Sequence, residues 1–436
     1  MADYKHPFSG RMRRLGKLGA AALGTSGRYL GDRLADALRD ADGRSQAQGK
    51  RLEVAGERLA KTMGDLKGAA MKLGQLLSVD NAVLPEEMRQ ALSVLQRQAP
   101  AMPFDRVKAL VEGHLEAPLE QHFASFEEEV LGAASLGQVH GAVLHDGRAV
   151  AVKVQYPGIA DTIGSDMANL RAILKVTPIP GLKGRVDDYI EELRSAFARE
   201  ADYLSEAKNL RLFSALVEEL EGTVVPKPID ALCRGELLVM ERLQGRLLDD
   251  AWEHLDQQER NRIGERLMLF FSTPFHRHQV LHGDPHPGNF MVLDSGELGV
   301  LDFGCVRHYD ADRTDGFLRA LDVVWRADDE ATVQVYAELG FGHGKALVDA
   351  AVLAEFNRIM LRPFLHPGLF DFGSWDFRQE MAPFLLKNPQ MLRLTPEPND
   401  LLYLRVLSGL RGMLHAGGCQ VDVHRNAHAM CLERSV

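Results

Sequence analysis

Two short segments of this chain carry side chains that could bind a metal–phosphate complex and direct a nucleophile at it. The first is HGDPHPGNF at residues 282–290, and the second is LDFG at residues 301–304. Asp284 is followed five positions later by Asn289, and Asp302 comes shortly after. Carboxylate and carboxamide oxygens suit a hard cation such as Mg²⁺, which also binds substrate phosphates. The spacing predicts phosphate chemistry, with Asp284 orienting, or taking a proton from, the attacking hydroxyl or water.

The residues between these two segments predict a β-hairpin. Residues 290–293 and 298–301 have the pattern of strands, and they flank a turn at 294–296. Such a hairpin would bring Asn289 and Asp302 together on one Mg²⁺. The Asp, the Asn and the Asp-Phe-Gly triplet also stand in the order in which the kinase fold uses them.

The histidines around this loop allow a competing interpretation, a transition-metal site. Its ligands would be His282, Asp284 and His286, with His276 and His278 nearby. Zinc-type histidines on a helix need i, i+4 spacing and a carboxylate at a useful position. These histidines lie on a loop broken by Pro and Gly, so we favour a role for His282 in shaping the loop by hydrogen bonds.

A lysine upstream is a candidate ligand for the nucleotide phosphates. In AVAVK, residues 149–153, the valines share one face of a predicted strand and Lys153 points to the other. A helical acid should pair with it, and residues 199–209 offer two candidates, among them Glu206, which lies four residues after Asp202 on the same helical face. Glu200 and Asp202 cannot share one face of a regular helix and are expected to serve different contacts. The alternatives are a surface Lys on an edge strand and a solvated acidic helix.

Two further segments are candidates for the surroundings of the nucleotide. The phosphate-covering loop should lie between the first two strands, where this chain has Gly132 followed by Ala133, Ala134 and Ser135. Alanine permits close approach of the backbone but disfavours positive φ, so the nucleotide is expected to be held differently from that in a protein kinase. In MKLGQLLS, residues 71–78, Lys72 and Gln75 are i, i+3 neighbours. By spacing alone they form an ordinary exposed helix face.

The elements that must position these residues indicate four regions. Residues 1–50 form a basic arm, 51–120 a helical extension, 121–245 a small lobe with a sheet and inserted helices, and 246–436 a helical lobe. The predicted elements of the small lobe are strands at 126–131, 137–144, 149–155, 223–226 and 236–243, and helices at 159–175 and 186–216. The predicted fold class is α+β, a bilobal kinase-like fold with an N-terminal helical extension.

Composition and charge limit the partners. The chain has 436 residues, 45% of them hydrophobic, and a formal net charge of −10, which argues against a general nucleic-acid binder. Residues 1–80 nevertheless carry 15 Lys and Arg against 9 Asp and Glu, so this basic arm could contact anionic lipid or an acidic partner. Four scattered cysteines predict a reduced chain. No apolar run has the length of a membrane span, about 18 to 20 residues.

Together these motifs resemble the UbiB/AarF family of atypical kinases, the ADCK-type proteins. The resemblance covers about residues 61–418, and four unusual features carry it. They are the Lys-x-Gly-Gln helix at 72–75, the Ala-rich loop at 133–135, the Glu-x-Asp pair at 200–202 and the Asp-Pro-x-x-x-Asn loop at 284–289. Gly132, at the start of the loop, departs from the family pattern and is expected to reduce nucleotide selectivity.

The resemblance implies roles that the spacing alone does not. The Lys72–Gln75 segment would pack over the active site, Glu200 and Asp202 would face it, and Glu206 would pair with Lys153. Members resemble ATPases or small-molecule kinases that bind adenine nucleotide with Mg²⁺ and support ubiquinone or isoprenoid-lipid metabolism. A quinone-like lipid and a peripheral contact on the inner face of the membrane, by an otherwise cytoplasmic chain, are therefore expected.

Three functions follow from these observations. The leading one is an ATP- and Mg²⁺-dependent atypical kinase or ATPase in isoprenoid-quinone or lipid handling, without protein kinase activity. The second is a small-molecule phosphotransferase of the aminoglycoside or choline kinase type, which shares a similar His-Gly-Asp…Asn loop. The third is a nucleotide-gated scaffold without catalysis.

Overall fold

The computed structural model describes most of the chain from residue 102 onward. The described ranges are 102–134, 136–158, 200–341, 349–394 and 396–433, with single positions between 164 and 198. The basic arm and the segment with Lys72 and Gln75 lie outside the described residues. The chain divides into two compact units, 1–100 with 158–197 and 101–157 with 198–436, and the elements below belong to the second.

The strands of this unit form two four-stranded sheets and two short ladders. In chain order they are β1 (Phe123–Ala134), β2 (Gly137–Leu144), β3 (Ala149–Gln155), β4 (Thr223–Val224), β5 (Leu237–Glu241), β6 (Gly245–Leu247), β7 (Val280–His282), β8 (Phe290–Leu293), β9 (Leu298–Val300), β10 (Val306–His308), β11 (Phe370–Asp371) and β12 (Gln420–Val421). One sheet has the antiparallel order β1-β2-β3-β5, and the other has the order β4-β9-β8-β6. The ladders join β7 to β10 and β11 to β12.

The helices of this unit pack against both four-stranded sheets. In chain order they are α1 (Phe104–Leu115), α2 (Leu119–His122), α3 (Tyr203–Leu216), α4 (Leu248–Ala251), α5 (Gln257–His278), α6 (Ala311–Trp325), α7 (Asp329–Glu338), α8 (Ala350–Met360), α9 (Arg362–Leu365), α10 (Phe377–Lys387), α11 (Leu401–Ala416) and α12 (Val423–Glu433). This mixed α+β architecture is the kinase-like one that the sequence predicts.

The alternation along β3 places its two faces in different surroundings. Val150, Val152 and Val154 are fully buried in one apolar cluster with Val107 and Val111 of α1. The opposite face carries Ala151 and Lys153, and Ala151 packs into the larger core beside Tyr203. The predicted bounds of β2 and β3 are confirmed. The predicted turn between them is also present, with Gly147 at a φ of 86° that favours glycine.

The predicted helix over residues 186–216 is wrong as a single helix, because it is interrupted before Tyr203. Asp202 has extended backbone angles, φ −107° and ψ 92°, and caps α3. Its Oδ1 accepts hydrogen bonds from the backbone N–H groups of Leu204 at 3.1 Å and Ser205 at 3.2 Å. A short acidic side chain competes in this way for amide groups that a continuous helix would use itself.

Short strands account for the other differences from the sequence-based expectation. The chain after Leu247 was expected to contain only the 290–301 hairpin, but it also contains the β7–β10 and β11–β12 ladders. In addition, β6 lies across the predicted boundary between the small lobe and the helical lobe, and it pairs with β8. Two- or three-residue strands have no readable period, since their pairing depends on partners distant in the sequence.

The late apolar segment forms the packed helix α11. Leu402, Val406 and Leu410 of α11 are buried, and Arg405 is buried among them. Of the helices in the described residues, none combines the length and the apolar character needed to cross a membrane.

The N-cap of α3 gives a first testable prediction. We expect Asp202→Ala to lower the free energy of unfolding by about 1 kcal/mol, because two amide groups lose their acceptor. Urea denaturation would measure this, with Asp202→Asn as the control because Asn keeps a capping oxygen. Equal losses in the two variants would show that Asp202 does not act as the cap of α3.

Candidate functional site

A buried lysine bridges two carboxylates from different parts of the chain. Lys153 Nζ lies 2.9 Å from both carboxylate oxygens of Glu206 on α3 and 2.8 Å from Oδ2 of Asp302, which follows β9. The exposed fraction is 4% for Lys153 and 1% for Glu206. The side chain of Asp302 is more open, at 22%. The three groups therefore form an ion-pair triad in a site of low dielectric, with Asp302 at its accessible end.

The two carboxylates of the triad differ in pKa. Burial raises the pKa of Glu206 to about 7, although Lys153 opposes this effect and Asp302 adds to it. Burial alone would also raise the pKa of Asp302, but Lys153 outweighs it and the pKa is lowered. For Lys153, burial lowers the pKa, but the nearby Asp302 and Glu206 carboxylates outweigh burial and raise the pKa well above its ordinary value. The ammonium therefore stays charged. Asp302 is therefore the more firmly ionised of the two carboxylates.

The loop before β8 places Asp284 and Asn289 beside this triad. Asn289 Nδ2 donates to Asp284 at 3.1 Å from Oδ2 and 3.2 Å from the backbone oxygen. The Asn289 carbonyl accepts a hydrogen bond from the Leu301 N–H at 2.9 Å, which continues the β8–β9 hairpin to the residue before Asp302. The hairpin thus brings the Asn289 and Asp302 positions together, as its pattern predicts.

His282 joins the loop to the segment after β9 by a hydrogen bond. Its Nε2 lies 2.7 Å from the backbone oxygen of Asp302 and must donate, since a carbonyl only accepts. Burial lowers the pKa of the imidazole, which is therefore neutral near pH 7. Its ring packs edge-on against Phe303 with centroids 5.2 Å apart. In the described part of the chain, no three His, Cys, Asp or Glu side chains are grouped as a metal site, which weighs against the transition-metal interpretation.

The prediction of a loop that begins at Gly132 is wrong, because β1 continues to Ala134. Ala133 pairs with Gln138 and Ala134 with Gly137, so the connection to β2 is a tight turn, and Ser135 lies outside the described residues. A Cβ at Gly137 would lie 2.1 Å from the Val154 carbonyl oxygen, so only glycine fits at the start of β2. The backbone of this turn is therefore held directly against β3, two residues along the strand from Lys153.

Glu200 and Asp202 contact different parts of the structure. Asp202 caps α3 and so fixes the helix that presents Glu206. Glu200 is buried, and a Cβ on Gly304 would lie 3.4 Å from its Cγ, which places Glu200 beside the Asp-Phe-Gly segment. The two acids serve different contacts, as expected from their spacing.

Two residues of the site were missed by the sequence reasoning. The Arg405 guanidinium, from α11, pairs with the Asp284 carboxylate, and both side chains are buried. The ring of Tyr203 is fully buried, with the Lys153 ammonium 5.0 Å from its centroid. An arginine on the buried face of an apolar helix is a signal that could have indicated Arg405, because such a charge requires a partner.

The donor set fits a hard cation held with nucleotide phosphates. The Asp302 carboxylate and the Asn289 carboxamide could supply oxygen ligands. The Lys153 ammonium lies 2.8 Å from Asp302 Oδ2. Magnesium is bound in proteins by one or two such groups together with substrate phosphates. The arrangement can therefore bind a magnesium–nucleotide complex and place a nucleophile near Asp284.

This fold and site define a kinase-like phosphotransfer protein. The chain belongs to the family of the ABC1 atypical kinase-like domain, whose model matches residues 94–336. This is the UbiB/AarF/ADCK family that the motifs indicate.

Similar proteins come from several organisms. Rat "Atypical kinase COQ8B, mitochondrial" is 32% identical over 77% of this chain and 64% of its own. The Caenorhabditis elegans "Atypical kinase coq-8, mitochondrial" is 29% identical over 81% of this chain and 48% of its own. The chain thus spans about half to two thirds of these relatives. A solved structure, the Rv3197–erythromycin complex from Mycobacterium tuberculosis, has a TM-score of 0.62 at 25% identity, covering 89% of this chain and 98% of that one.

The raised pKa of Glu206 gives a pH-dependent prediction. The folded pKa of about 7 exceeds the ordinary 4.5, so the folded state holds the proton more tightly between these values. This contribution to stability is complete below pH 4.5 and is lost as the pH rises through 7. Relative to Glu206→Gln, the wild type should lose on the order of 1 to 2 kcal/mol of unfolding free energy between pH 5.5 and 7.5.

Urea denaturation at several pH values would measure this difference. The control is Glu218→Gln, which removes one carboxylate from an exposed position just after α3. Parallel pH curves for the wild type and Glu206→Gln would contradict the assignment of the proton to Glu206.

Proposed function

We propose that this protein is an ATP- and Mg²⁺-dependent ATPase or small-molecule kinase that supports ubiquinone or isoprenoid-lipid metabolism. The observation that carries the proposal is the buried Lys153 ammonium between Glu206 and Asp302, beside Asp284 and Asn289. A lysine, a helical acid and an Asp-Phe-Gly aspartate in this relation are the parts that kinase-type sites use to position nucleotide phosphates.

Each residue has a defined role in this proposal. Lys153, held by Glu206, binds the α- and β-phosphates, while Asn289 and Asp302 hold the metal. Mg²⁺, when bound, neutralises charge on the transferred phosphoryl group. Asp284 orients the attacking hydroxyl or water through its carboxylate. The Ala133–Ser135 turn covers the phosphates with its backbone, and Lys72, Gln75, Glu200 and Asp202 restrict access of a large substrate.

The segment after the Asp-Phe-Gly triplet supports a small acceptor over a peptide. Residues 306–308 form β10, which pairs with β7, and α6 begins at Ala311. In protein kinases a longer activation segment ending in Ala-Pro-Glu follows this triplet. The short connection here leaves no comparable segment on which a peptide substrate could dock.

Loss of the metal-binding carboxylate tests the proposed activity. We expect Asp302→Asn to lower Mg²⁺-dependent ATP turnover by at least about 100-fold, because charge stabilisation by the metal contributes several kcal/mol. The assay uses the purified full chain with liposomes and phenolic quinone-precursor mimics. Asp294→Asn, in the exposed turn of the same hairpin, is the matched control.

The outcomes of this assay separate the proposed functions. Turnover that lipid or phenol stimulates and that Asp302→Asn abolishes supports the lipid-linked enzyme. Turnover unchanged in Asp302→Asn would remove the assignment of Asp302. Nucleotide binding without turnover under every condition would favour the nucleotide-gated scaffold.

We also propose a peripheral contact of the basic arm with anionic membranes. Residues 1–50 carry 10 Lys and Arg against 5 Asp and Glu, whereas the whole chain is acidic. Binding to phosphatidylserine liposomes should therefore weaken as salt rises from about 0.05 to 0.5 M, because exposed charges are screened. Sedimentation with liposomes would measure it, and deletion of residues 1–50 without loss of binding would contradict it.

A further inference from the structure

One face of α11 follows the loop around Asp284 residue by residue. A Cβ on Gly283 would lie 2.8 Å from a methyl group of Leu402, and a Cβ on Gly409 would lie 2.4 Å from Pro285 Cγ. Between these two contacts, the Arg405 guanidinium pairs with the Asp284 carboxylate. Positions 402, 405 and 409 share one side of a helix, so this face meets the loop at three consecutive residues.

Both oxygens of the Asp284 carboxylate are held by donors. Oδ1 accepts from the Arg405 guanidinium, and Oδ2 accepts from Asn289 Nδ2 at 3.1 Å. The exposed fraction is 6% for Asp284 and 4% for Arg405, so neither charge is well solvated. A buried carboxylate without a counter-charge is strongly unfavourable, and Arg405 supplies that charge.

The close approach at Gly409 makes this pairing possible. Its backbone lies against the ring of Pro285, and a side chain there would also meet the Pro285 carbonyl oxygen at 2.8 Å. By contrast, Gly412 on the same helix has nothing within 4 Å of the place where a Cβ would stand. Of these two helical glycines, only Gly409 is therefore required by a contact.

This face lies outside the segment that the family model matches. That segment ends at residue 336, whereas α11 begins at Leu401. We infer that α11 forms part of the proposed active site, with Arg405 as the positioning residue that fixes the orientation of the Asp284 carboxylate. This inference rests on the proposed function, because it assigns Asp284 to the handling of the nucleophile.

The ionisable groups around Asp284 decide how the loss of Arg405 would act. Arg405 faces it from α11, His282 from β7 and Asp302 from the segment after β9, where Asp302 is itself paired with Lys153. Because His282 is neutral and Asp302 is negative, neither supplies the positive charge that Arg405 brings to Asp284. Loss of Arg405 therefore removes the guanidinium that holds the Asp284 carboxylate from α11.

A stability cycle tests the pair without any need for turnover. We expect Arg405→Met to raise the unfolding equilibrium constant by at least about 100-fold, because it removes the guanidinium charge from a buried carboxylate. Asp284→Asn in the same chain should recover at least about 10-fold of that loss, since no charge then remains. Urea denaturation of the full chain measures all four proteins. Additive effects of the two substitutions would overturn the pairing.

Turnover under conditions where each variant is folded tests the positioning role. Arg405→Met should lower kcat at least about 30-fold, with the KM for ATP changed less than about threefold, and Arg405→Lys should restore part of the loss. In an Asp284→Asn background, Arg405→Met should lower kcat no further. Equal losses of kcat in both backgrounds, or no recovery in Arg405→Lys, would show a merely structural role.

Two alanine variants of one helix test the contact with Pro285. Gly409→Ala should lower kcat at least about 10-fold by displacing the loop, whereas Gly412→Ala should leave kcat unchanged. Equal activities in the two folded variants would overturn the role of the α11 face.

Failure of the proposed function has a different signature. In that case the wild type shows no ATP turnover with any lipid or phenol, while the stability cycle still shows coupling between Arg405 and Asp284. The role of α11 in the site is then decided by Mg²⁺-dependent ADP binding. A change in ADP affinity in Gly409→Ala but not in Gly412→Ala would support it, and no change in either variant would overturn it.

Discussion

The rest of the site depends on one buried ammonium that two carboxylates share. Lys153 is held 2.9 Å from Glu206 and 2.8 Å from Asp302, and these groups come from β3, α3 and the end of the β8–β9 hairpin. A buried charge is tolerated only where partners are fixed around it. Packing of the valine face of β3, capping of α3 by Asp202 and pairing of the hairpin therefore all serve to keep these three groups in place.

The neighbouring loop also contains a buried charge that needs fixed partners, in this case a carboxylate. Asp284 is a buried carboxylate, and its stability requires donors that come from two directions, Asn289 on the loop and Arg405 on α11. His282 adds a neutral link by donating to the Asp302 backbone. The two clusters are thus joined through Asp302, so a change of charge in one alters the field in the other.

The chain after the Asp-Phe-Gly triplet gives this site its particular character. It passes through β10 directly into α6, and the later helix α11 packs against the loop around Asp284. A kinase-like phosphate site is thereby combined with a C-terminal helix that contributes directly to it.

The sequence by itself determined the elements whose signals are local. The alternation at 149–155 fixed β3 and the orientation of Lys153, and the strand–turn–strand pattern at 290–301 brought Asn289 next to Asp302. Only the tertiary structure decided the partners of Arg405 and the three-residue strands β7 and β10. These features depend on burial and on pairing across the sequence, as between Arg405 and Asp284, which are 121 residues apart. Local periodicity carries no information about such a contact, because its free energy arises only when both groups leave water together.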